Sequence, residues 1–470
     1  MHCTENDRLS GPGRAGNTGA SSYKNNKRFA DVSQPIRTPR AFCASALILL
    51  SLPLMAADEQ GFVEDSTLRL INRNFYFNRD FRSRDDGVFN SRQQSYREEW
   101  AQGFQAFYSS GYTQGTVGVG VDTHGLLGLK LDSGGGTSGT NLLPLDSHNR
   151  AEEDYSAAGG ALKLRAFDTE LKAGDLFPVT PVFRYGDGRL LPQSFRGVSL
   201  RSTLIDNLTL QGGHLHAARN KASSNHDDDL STEYGGTRYR SASYLGGDYS
   251  VAGGLSLSLY QARFEDVWNQ TYISLDRTLS LDDHHAVTVG ANLYRTRDQG
   301  AARAGRIDTD SWSAYARLLL GGHSLMLAHQ RIQGDEPFDY LGDGDSIYLS
   351  NSVLYSDFNS PGERSWQLRY DFNFAVLGVP GLGFMTRYLR GSHIDNSKVD
   401  PTGAYAYYAR LGSGGRHWER DFQLQYVIQS GPAKDLSLVA QQTIHRANKA
   451  QADGDVDQVR IIIQYPLDVF

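Results

Sequence analysis

Cysteine is almost missing from this chain of 470 residues, because Cys3 and Cys43 are the only two. A disulfide framework or a CxxC metal site is therefore excluded from everything that follows residue 43. Proline is also scarce, at 14 residues, and the mean hydropathy of −0.47 is too low for a helical membrane protein. The charge balance disfavours a general nucleic-acid binder, because 47 Lys and Arg stand against 53 Asp and Glu.

One uncharged apolar run does occur, over residues 41–57, and basic side chains precede it. It ends in two alanines, directly before an acidic pair. A basic start, a short apolar centre and small residues at the exit describe a secretory signal peptide. The alternative, a membrane anchor, is disfavoured because the run is short and contains Pro53. We expect residues 1–57 to be an N-terminal extension and signal peptide that is removed, and 58–470 to be a single domain.

Beyond this run, apolar and polar residues alternate over short stretches, as in VGVGVD at 117–122. A period of two is typical of β-strands with one apolar and one polar face. Polar tracts such as 132–141, 219–233 and 297–310 alternate with much shorter breaks. Alternating long and short connections are typical of an up-and-down transmembrane barrel, and the length accommodates about 18 strands.

The polarity of the two faces separates a membrane barrel from a soluble sandwich. A sandwich buries its apolar face, whereas a membrane barrel turns apolar side chains outward and lines its lumen with polar ones. Aromatic residues on the apolar face are expected to form interfacial girdles; they are Trp312, Trp366, Tyr370, Tyr388 and Tyr426. The sequence thus predicts an all-β fold, a transmembrane antiparallel β-barrel.

Eight segments and the C-terminal YPLDVF form a collinear pattern along the chain after residue 61. The segments are 62–66 (FVEDS), 73–81 (RNFYFNRDF), 98–104 (EEWAQGF), 126–132 (LLGLKLD), 189–197 (RLLPQSFRG), 346–362 (SIYLSNSVLYSDFNSPG), 365–371 (SWQLRYD) and 429–437 (QSGPAKDLS). In these segments the chain resembles the OprD family of substrate-selective outer-membrane porins.

The resemblance implies an 18-stranded barrel in the Gram-negative outer membrane, a monomer or weak homotrimer, with infolded extracellular loops. It implies passive, selective diffusion of small carboxylate-bearing nutrients, namely amino acids, short peptides or organic acids. The expected partners are small anionic or zwitterionic solutes, outer-membrane lipid, lipopolysaccharide and the barrel-assembly machinery, with no nucleic acid.

In the family, a row of basic side chains along one wall, the basic ladder, guides carboxylates. Arg79 and Arg460 match positions of this ladder. Evenly spaced charges let an anion step between weak sites without falling into one deep trap. Alternation puts Arg317, Arg369 and Arg387 on the polar face as well, so each is either a further basic residue of the ladder or a solvated wall residue.

The family's third loop enters the lumen, and here it corresponds to 176–197, with Arg189 at the start of RLLPQSFRG. An arginine at a narrow, partly dehydrated point attracts anions strongly because screening is weak there. The alternative is that Arg189 pins the loop through a salt bridge to Asp175 or Asp187.

The ladder is thinned near the C-terminal strands. Positions where relatives have Lys or Arg hold Gln425, Val439 and Gln441. Fewer positive charges weaken the binding of simple carboxylates. We therefore expect amino acids or small peptides to pass better than dicarboxylates.

Opposite the ladder, the family has an electronegative pocket, and the matching residues are Tyr234, Tyr340, Tyr355 and Asp357. Aromatic rings and a carboxylate are suited to the ammonium group of a zwitterion. The alternative makes Tyr355 a girdle residue and Asp357 a loop cap.

Other function classes are weaker. A structural or adhesion barrel is disfavoured because the Gly-rich loops have few hydrophobic residues. His214, Asp266 and Ser346 follow an order seen in serine hydrolases, but no G-x-S-x-G surrounds Ser346, and His214 has outward parity. The acidic segment 335–345 lacks EF-hand spacing, so calcium between loops is only an alternative. We expect no enzyme activity, no catalytic residue, no cofactor and no metal.

Overall fold

The computed structural model describes residues 61–82, 95–134 and 136–470. The signal-peptide prediction for 1–57 lies outside these residues.

The alternating segments form long antiparallel strands, and each pairs with its neighbours along the chain. The strands of the main sheet are β1 (Thr67–Phe81), β2 (Tyr96–Ser109), β3 (Val117–Asp132), β4 (Asp154–Ala166), β5 (Thr169–Leu176), β6 (Ser194–Ile205), β7 (Leu208–Arg219), β10 (Ala242–Val251), β11 (Leu255–Phe264), β12 (Trp268–Ser280), β13 (His285–Asp298), β14 (Asp308–Leu320), β15 (His323–Gln333), β16 (Arg364–Asn373), β17 (Leu382–Asp395), β18 (Ser413–Val427), β19 (Ser437–Ala447) and β20 (Val456–Asp468). A small hairpin, β8 (Leu230–Ser231) with β9 (Arg238–Tyr239), lies in the connection between β7 and β10.

The sheet closes on itself because the last strand pairs with the first. β20 runs antiparallel to β1 from the pair Arg69 and Asp468 to the pair Phe81 and Val456. Pro466 does not end β20, which continues to Asp468. Closure leaves no edge strand, so the backbone hydrogen bonds of all eighteen strands are made within the wall. The prediction of a closed antiparallel barrel of about 18 strands is confirmed.

The two faces of the wall differ as the alternation predicts. On β16, Trp366 and Leu368 are 54% and 53% exposed on the outside, whereas Gln367 and Arg369 are 1% and 8% exposed on the inside. The outer surface is thus apolar and the interior polar, the inverse of a soluble sandwich.

The longest connections lie at one end of the barrel, and most of the short turns lie at the other. Two of the long connections fold inward: the third loop, now bounded as 177–193, and the segment 334–363. Leu190 of the third loop and Phe75 of β1 belong to one buried apolar cluster, and the ring of Phe183 lies edge-on to Phe195. These apolar contacts hold the loop inside the barrel, where it narrows the interior.

Helix is limited to a 3-10 turn (Phe374–Leu377) and α1 (Ala406–Ala409) in the described part of the chain. None of the helices in the described ranges is long and apolar enough to span a bilayer.

Candidate functional site

A row of inward-facing side chains crosses eight neighbouring strands, because each is the direct register partner of the next. From β14 through β20 to β1 the row is Arg317, Met326, Arg369, Arg387, Asp421, Thr443, Gln458 and Arg79. Strand pairing therefore brings four of the arginines expected for the ladder into one line.

Two of these arginines are paired with acids. Arg369 lies 2.6 Å from the carboxylate of Asp371, and Arg387 lies 2.6 Å from that of Asp421. Arg317 is half-buried, with its Nη2 3.6 Å from the sulfur of Met326. Neighbouring acids therefore compensate two of the positive charges in the row.

A second, more concentrated group of arginines surrounds the ring of Phe77 on β1. The guanidinium carbons of Arg79, Arg189 and Arg460 lie 5.1, 5.3 and 4.4 Å from the ring centre. We call these three side chains the arginine cluster. The electron-rich ring face attracts cations and holds three like charges close together in the interior.

The third loop is fixed by Arg73 of β1. Its guanidinium pairs with Asp187 at 2.8 Å and donates to the backbone oxygen of Arg189 at 2.6 Å. Arg189 in turn donates to the backbone oxygens of Thr140 and Gly188 at 3.1 and 2.9 Å. Burial, the largest effect, lowers the pKa of the Arg189 guanidinium, and the charge of Asp343 opposes this.

The two acids offered as alternative salt-bridge partners of Arg189 pair with other arginines. Asp187 pairs with Arg73, and Asp175 lies 3.2 Å from Arg196. The ion pair that pins the loop is therefore made by Arg73. Sequence analysis had offered Asp187 as a partner of Arg189 instead.

Three of the four predicted pocket residues converge, from the inward-folded segment 334–363 and the β7–β10 connection. The hydroxyls of Tyr234 and Tyr340 donate to one carboxylate oxygen of Asp357 at 2.6 and 2.8 Å. Ser352 donates to the other oxygen at 2.6 Å. We call this group the Asp357 pocket.

Tyr355 lies apart from this group and faces the arginine cluster. Its ring centre is 5.2 Å from the guanidinium carbon of Arg79, and its hydroxyl donates to the backbone oxygen of Asp453. It is buried, at 4% exposure, so it is not the girdle residue of the alternative interpretation. Tyr355 thus belongs to the surroundings of the arginine cluster rather than to the Asp357 pocket.

Comparison with known proteins agrees with this architecture. Residues 60–469 match the family described as outer membrane porin, OprD family. Porin D of Pseudomonas aeruginosa is 44% identical over 422 residues, which are 88% of this chain and 93% of that protein. The chain belongs to the OprD family of outer-membrane porins.

Solved structures of OprD-family proteins superpose closely on this one. The crystal structure of Pseudomonas aeruginosa OccK9 (OpdG) is 42% identical, with a TM-score of 0.79, covering 87% of this chain and all of that one. OprD of the same organism is 43% identical with a TM-score of 0.76, covering 88% and 98%. This OprD-family porin is therefore a β-barrel of the outer membrane, and its long connections are extracellular.

The thinned positions of the ladder are on the inner side of this porin. Gln441 is the register partner of Arg460 and donates to Gln423 at 2.8 Å. Val439 is buried beside Ile462 in an apolar cluster, and Gln425 is half-buried. This stretch of wall is uncharged although it adjoins the arginine cluster.

Sequence analysis missed Asp339, which is buried behind the Asp357 pocket. It accepts from the backbone nitrogens of Tyr234 and Gly235 and from the hydroxyl of Tyr405, all at 2.9 Å. Burial raises its pKa to about 6, although these donors oppose the shift. Nothing in the sequence indicated this site, because the hydrogen-bond partners of Asp339 come from two other connections.

The three residues of the hydrolase alternative point in different directions in the porin. His214 is exposed on the outer face and shares a hydrogen bond of 2.8 Å with Ser243. Ser346 is fully buried, and its oxygen accepts from the backbone nitrogen of Arg184 at 2.7 Å. Asp266 pairs with Arg303 at 3.5 Å. The outward orientation expected for His214 is confirmed.

The acidic side chains of 335–345 have separate partners in the described structure. Asp335 pairs with Lys398 at 3.6 Å, and Asp343 with Lys221 at 3.1 Å. These two carboxylates therefore join different loops through ion pairs.

Proposed function

We propose that this porin is a channel for passive, selective diffusion of small carboxylate-bearing nutrients, with amino acids and short peptides favoured over simple dicarboxylates. The observation that carries the proposal is the position of Tyr355. Its ring lies against Arg79 of the arginine cluster, and it precedes Asp357 by two positions in the same inward-folded segment.

Charge of both signs in a narrow interior suits a zwitterion. Three guanidinium groups attract a carboxylate, and weak screening in the constriction strengthens this attraction. The Asp357 pocket offers a carboxylate and two aromatic rings, which attract an ammonium group. A dicarboxylate gains from the first group and is repelled by the second.

A relative supports the carboxylate class. The crystal structure of Pseudomonas aeruginosa OpdK with vanillate is 38% identical, with a TM-score of 0.77, and covers 87% of this chain. Vanillate is an aromatic monocarboxylate, so the structure of one relative has been determined together with a solute of this class.

The test is single-channel recording of purified protein in planar bilayers. Benzoate, succinate, glycine and arginine would be added at matched concentration, with glucose as the uncharged control. We expect benzoate and the amino acids to interrupt the current more often than succinate, and glucose least. Equal interruption by glucose and by the carboxylates would contradict a carboxylate-selective channel.

Transport rather than catalysis is the role we infer, because the candidate hydrolase residues lie on different sides of the wall. We further propose that residues 1–57 are removed and that the barrel-assembly machinery inserts 58–470 into lipopolysaccharide-containing membrane as a monomer or weak homotrimer. Membrane fractionation, heat-dependent gel mobility and cross-linking test these points.

A further inference from the structure

Two histidines meet in the interior where β18, β19 and the connection 448–455 come together. Nδ1 of His417 is 2.7 Å from Nε2 of His445, and both side chains are buried. With one carboxylate oxygen of Asp453, these nitrogens form a group whose members all lie within 4.8 Å of one another. Neither the arginine cluster nor the Asp357 pocket includes any of the three.

The other nitrogen of each ring already has a partner that fixes the proton. Nδ1 of His445 is 2.6 Å from the backbone oxygen of Gly454, and a carbonyl only accepts, so this nitrogen donates. Nε2 of His417 is 2.5 Å from a carboxylate oxygen of Glu363, whose other oxygen accepts from the backbone nitrogen of Ser360 at 3.0 Å. With Glu363 ionised, Nε2 of His417 is a donor too, and the amide nitrogen of Gln451 lies 3.3 Å from Nδ1 of the same ring.

The two nitrogens that face each other then both carry lone pairs. At 2.7 Å two lone pairs repel, and a cation between them turns this repulsion into attraction. A proton shared by the rings is one such cation, and a metal ion is the other. In metal sites, the second ring nitrogen of a histidine ligand usually donates to a carboxylate or a carbonyl, as Glu363 and Gly454 provide here.

The surroundings favour more than one positive charge. Glu363 and Asp453 are both buried beside the two rings. Two carboxylates beside two neutral rings place negative charge away from bulk water, which is costly unless it is balanced. A divalent ion balances more of this charge than one proton does.

We propose that His417, His445 and Asp453 bind one divalent transition-metal ion of the zinc type, with water as a further ligand. Two imidazoles and one carboxylate are ligands that zinc prefers, whereas calcium and magnesium prefer oxygen alone. Metal–nitrogen bonds of about 2.0–2.1 Å in a tetrahedron place ligand nitrogens about 3.3 Å apart, so the rings must separate by roughly half an ångström. The expectation of no metal overlooked this set because its members come from two strands and a connection.

The site would stiffen the constriction. Asp453 accepts a hydrogen bond from Ser356, and its backbone oxygen accepts from the hydroxyl of Tyr355. Fixing Asp453 therefore restrains the segment that faces the arginine cluster. This inference does not depend on which solute the channel carries.

The test is isothermal titration calorimetry of Zn²⁺ into folded, tag-free protein in detergent, after removal of metal by a chelator. Variants are His417→Gln, His445→Gln and Asp453→Asn, with the exposed His148→Gln between β3 and β4 as control. Heat-dependent gel mobility checks that each variant is folded. We expect one Zn²⁺ per barrel, at least tenfold weaker binding in the three site variants, and unchanged binding in the control.

X-ray absorption of the loaded wild-type protein provides a second measurement if the variants do not fold. Two nitrogen ligands at about 2.0–2.1 Å would support the site. Absence of stoichiometric binding to folded wild-type protein would overturn the proposal and leave a shared proton between the rings. Equal binding by the control and the site variants would overturn it as well.

Discussion

Arg460 on β20 lies directly opposite Phe77 on β1, with its guanidinium carbon 4.4 Å from the centre of the ring. Its Nη2 donates to the backbone oxygen of Leu354 at 3.2 Å. Its Nε and Nη1 are buried and have no hydrogen-bond partner among the described residues. A guanidinium held mainly by a ring face keeps donors that a passing carboxylate can use.

Replacing Arg460→Gln should therefore weaken the interaction with carboxylates. One charge contact is worth about 1 kcal/mol in water and about 4 at an effective dielectric of 20, so we expect a loss of several-fold or more. The measurement is the residence time of benzoate in single-channel recordings. Arg420→Gln, on the exposed outer face, is the matched control and should leave that time unchanged. Identical residence times in all three proteins would place the anion path away from Phe77.

Adding charge to the thinned wall should have the opposite effect. Gln441→Arg creates a cation next to its register partner Arg460 and should lengthen benzoate residence several-fold. Because like charges in register repel, the same variant should also unfold at a lower temperature. Gln441→Met, which keeps the size without the charge, should show no longer residence. Longer benzoate residence in Gln441→Met would mean that the shape of the side chain rather than its charge is responsible.

Loosening the third loop should change the current itself. Asp187→Asn keeps the side-chain shape but removes the ion pair with Arg73, whose side chain is 3% exposed. Removing one member leaves the buried guanidinium less well compensated, so the loop should move more. We expect noisier open-channel current at unchanged salt, measured at fixed voltage. Asp146→Asn, which removes the pair with the exposed Arg150 between β3 and β4, serves as the control. Equal noise in both variants would show that Arg73 does not restrain the loop.

The buried carboxyl of Asp339 should make stability depend on pH. Burial raises its pKa to about 6 from an ordinary 3.8, so the folded chain holds this proton more tightly than the unfolded chain does. The stabilisation is fully present below about pH 4 and is lost as pH rises through 6, on the order of 3 kcal/mol. Thermal unfolding in detergent between pH 4 and 7 should show this decline.

Asp339→Asn should flatten the decline, because an amide imitates the protonated acid. Part of the dependence should remain, since burial also raises the pKa of Glu336 to about 7. Asp335→Asn, at an exposed position, should keep the full dependence. An unchanged profile in Asp339→Asn would show that another group is responsible.

The alternation of apolar and polar residues was sufficient to assign side chains to the outer and inner faces of the barrel wall. Trp366 and Arg369 differ by an odd number of positions, so they must lie on opposite faces of any regular strand, and they do. The same rule could have found the partner of Arg369, because Asp371 is two positions further on the same face. Information of this kind is local to a strand.

The interior contacts could not be read in the same way. Asp357 and Tyr234 come from two different connections, and Arg73 takes the partner expected for Arg189. Such contacts depend on how loops pack against each other inside a closed wall, and no period in the sequence encodes that packing. The resemblance to relatives supplied the candidate residues, while their pairing required the structure.

The pairing of β20 with β1 has a consequence for the order of assembly. These strands lie at opposite ends of the described chain, so half of the hydrogen bonds of β1 await β20, which is synthesised long after it. Until then the nascent sheet has two open edges and an apolar outer surface, both of which favour aggregation. The polypeptide must therefore be kept from premature folding across its whole length, and a truncation within β20 would cost the entire ring rather than one strand.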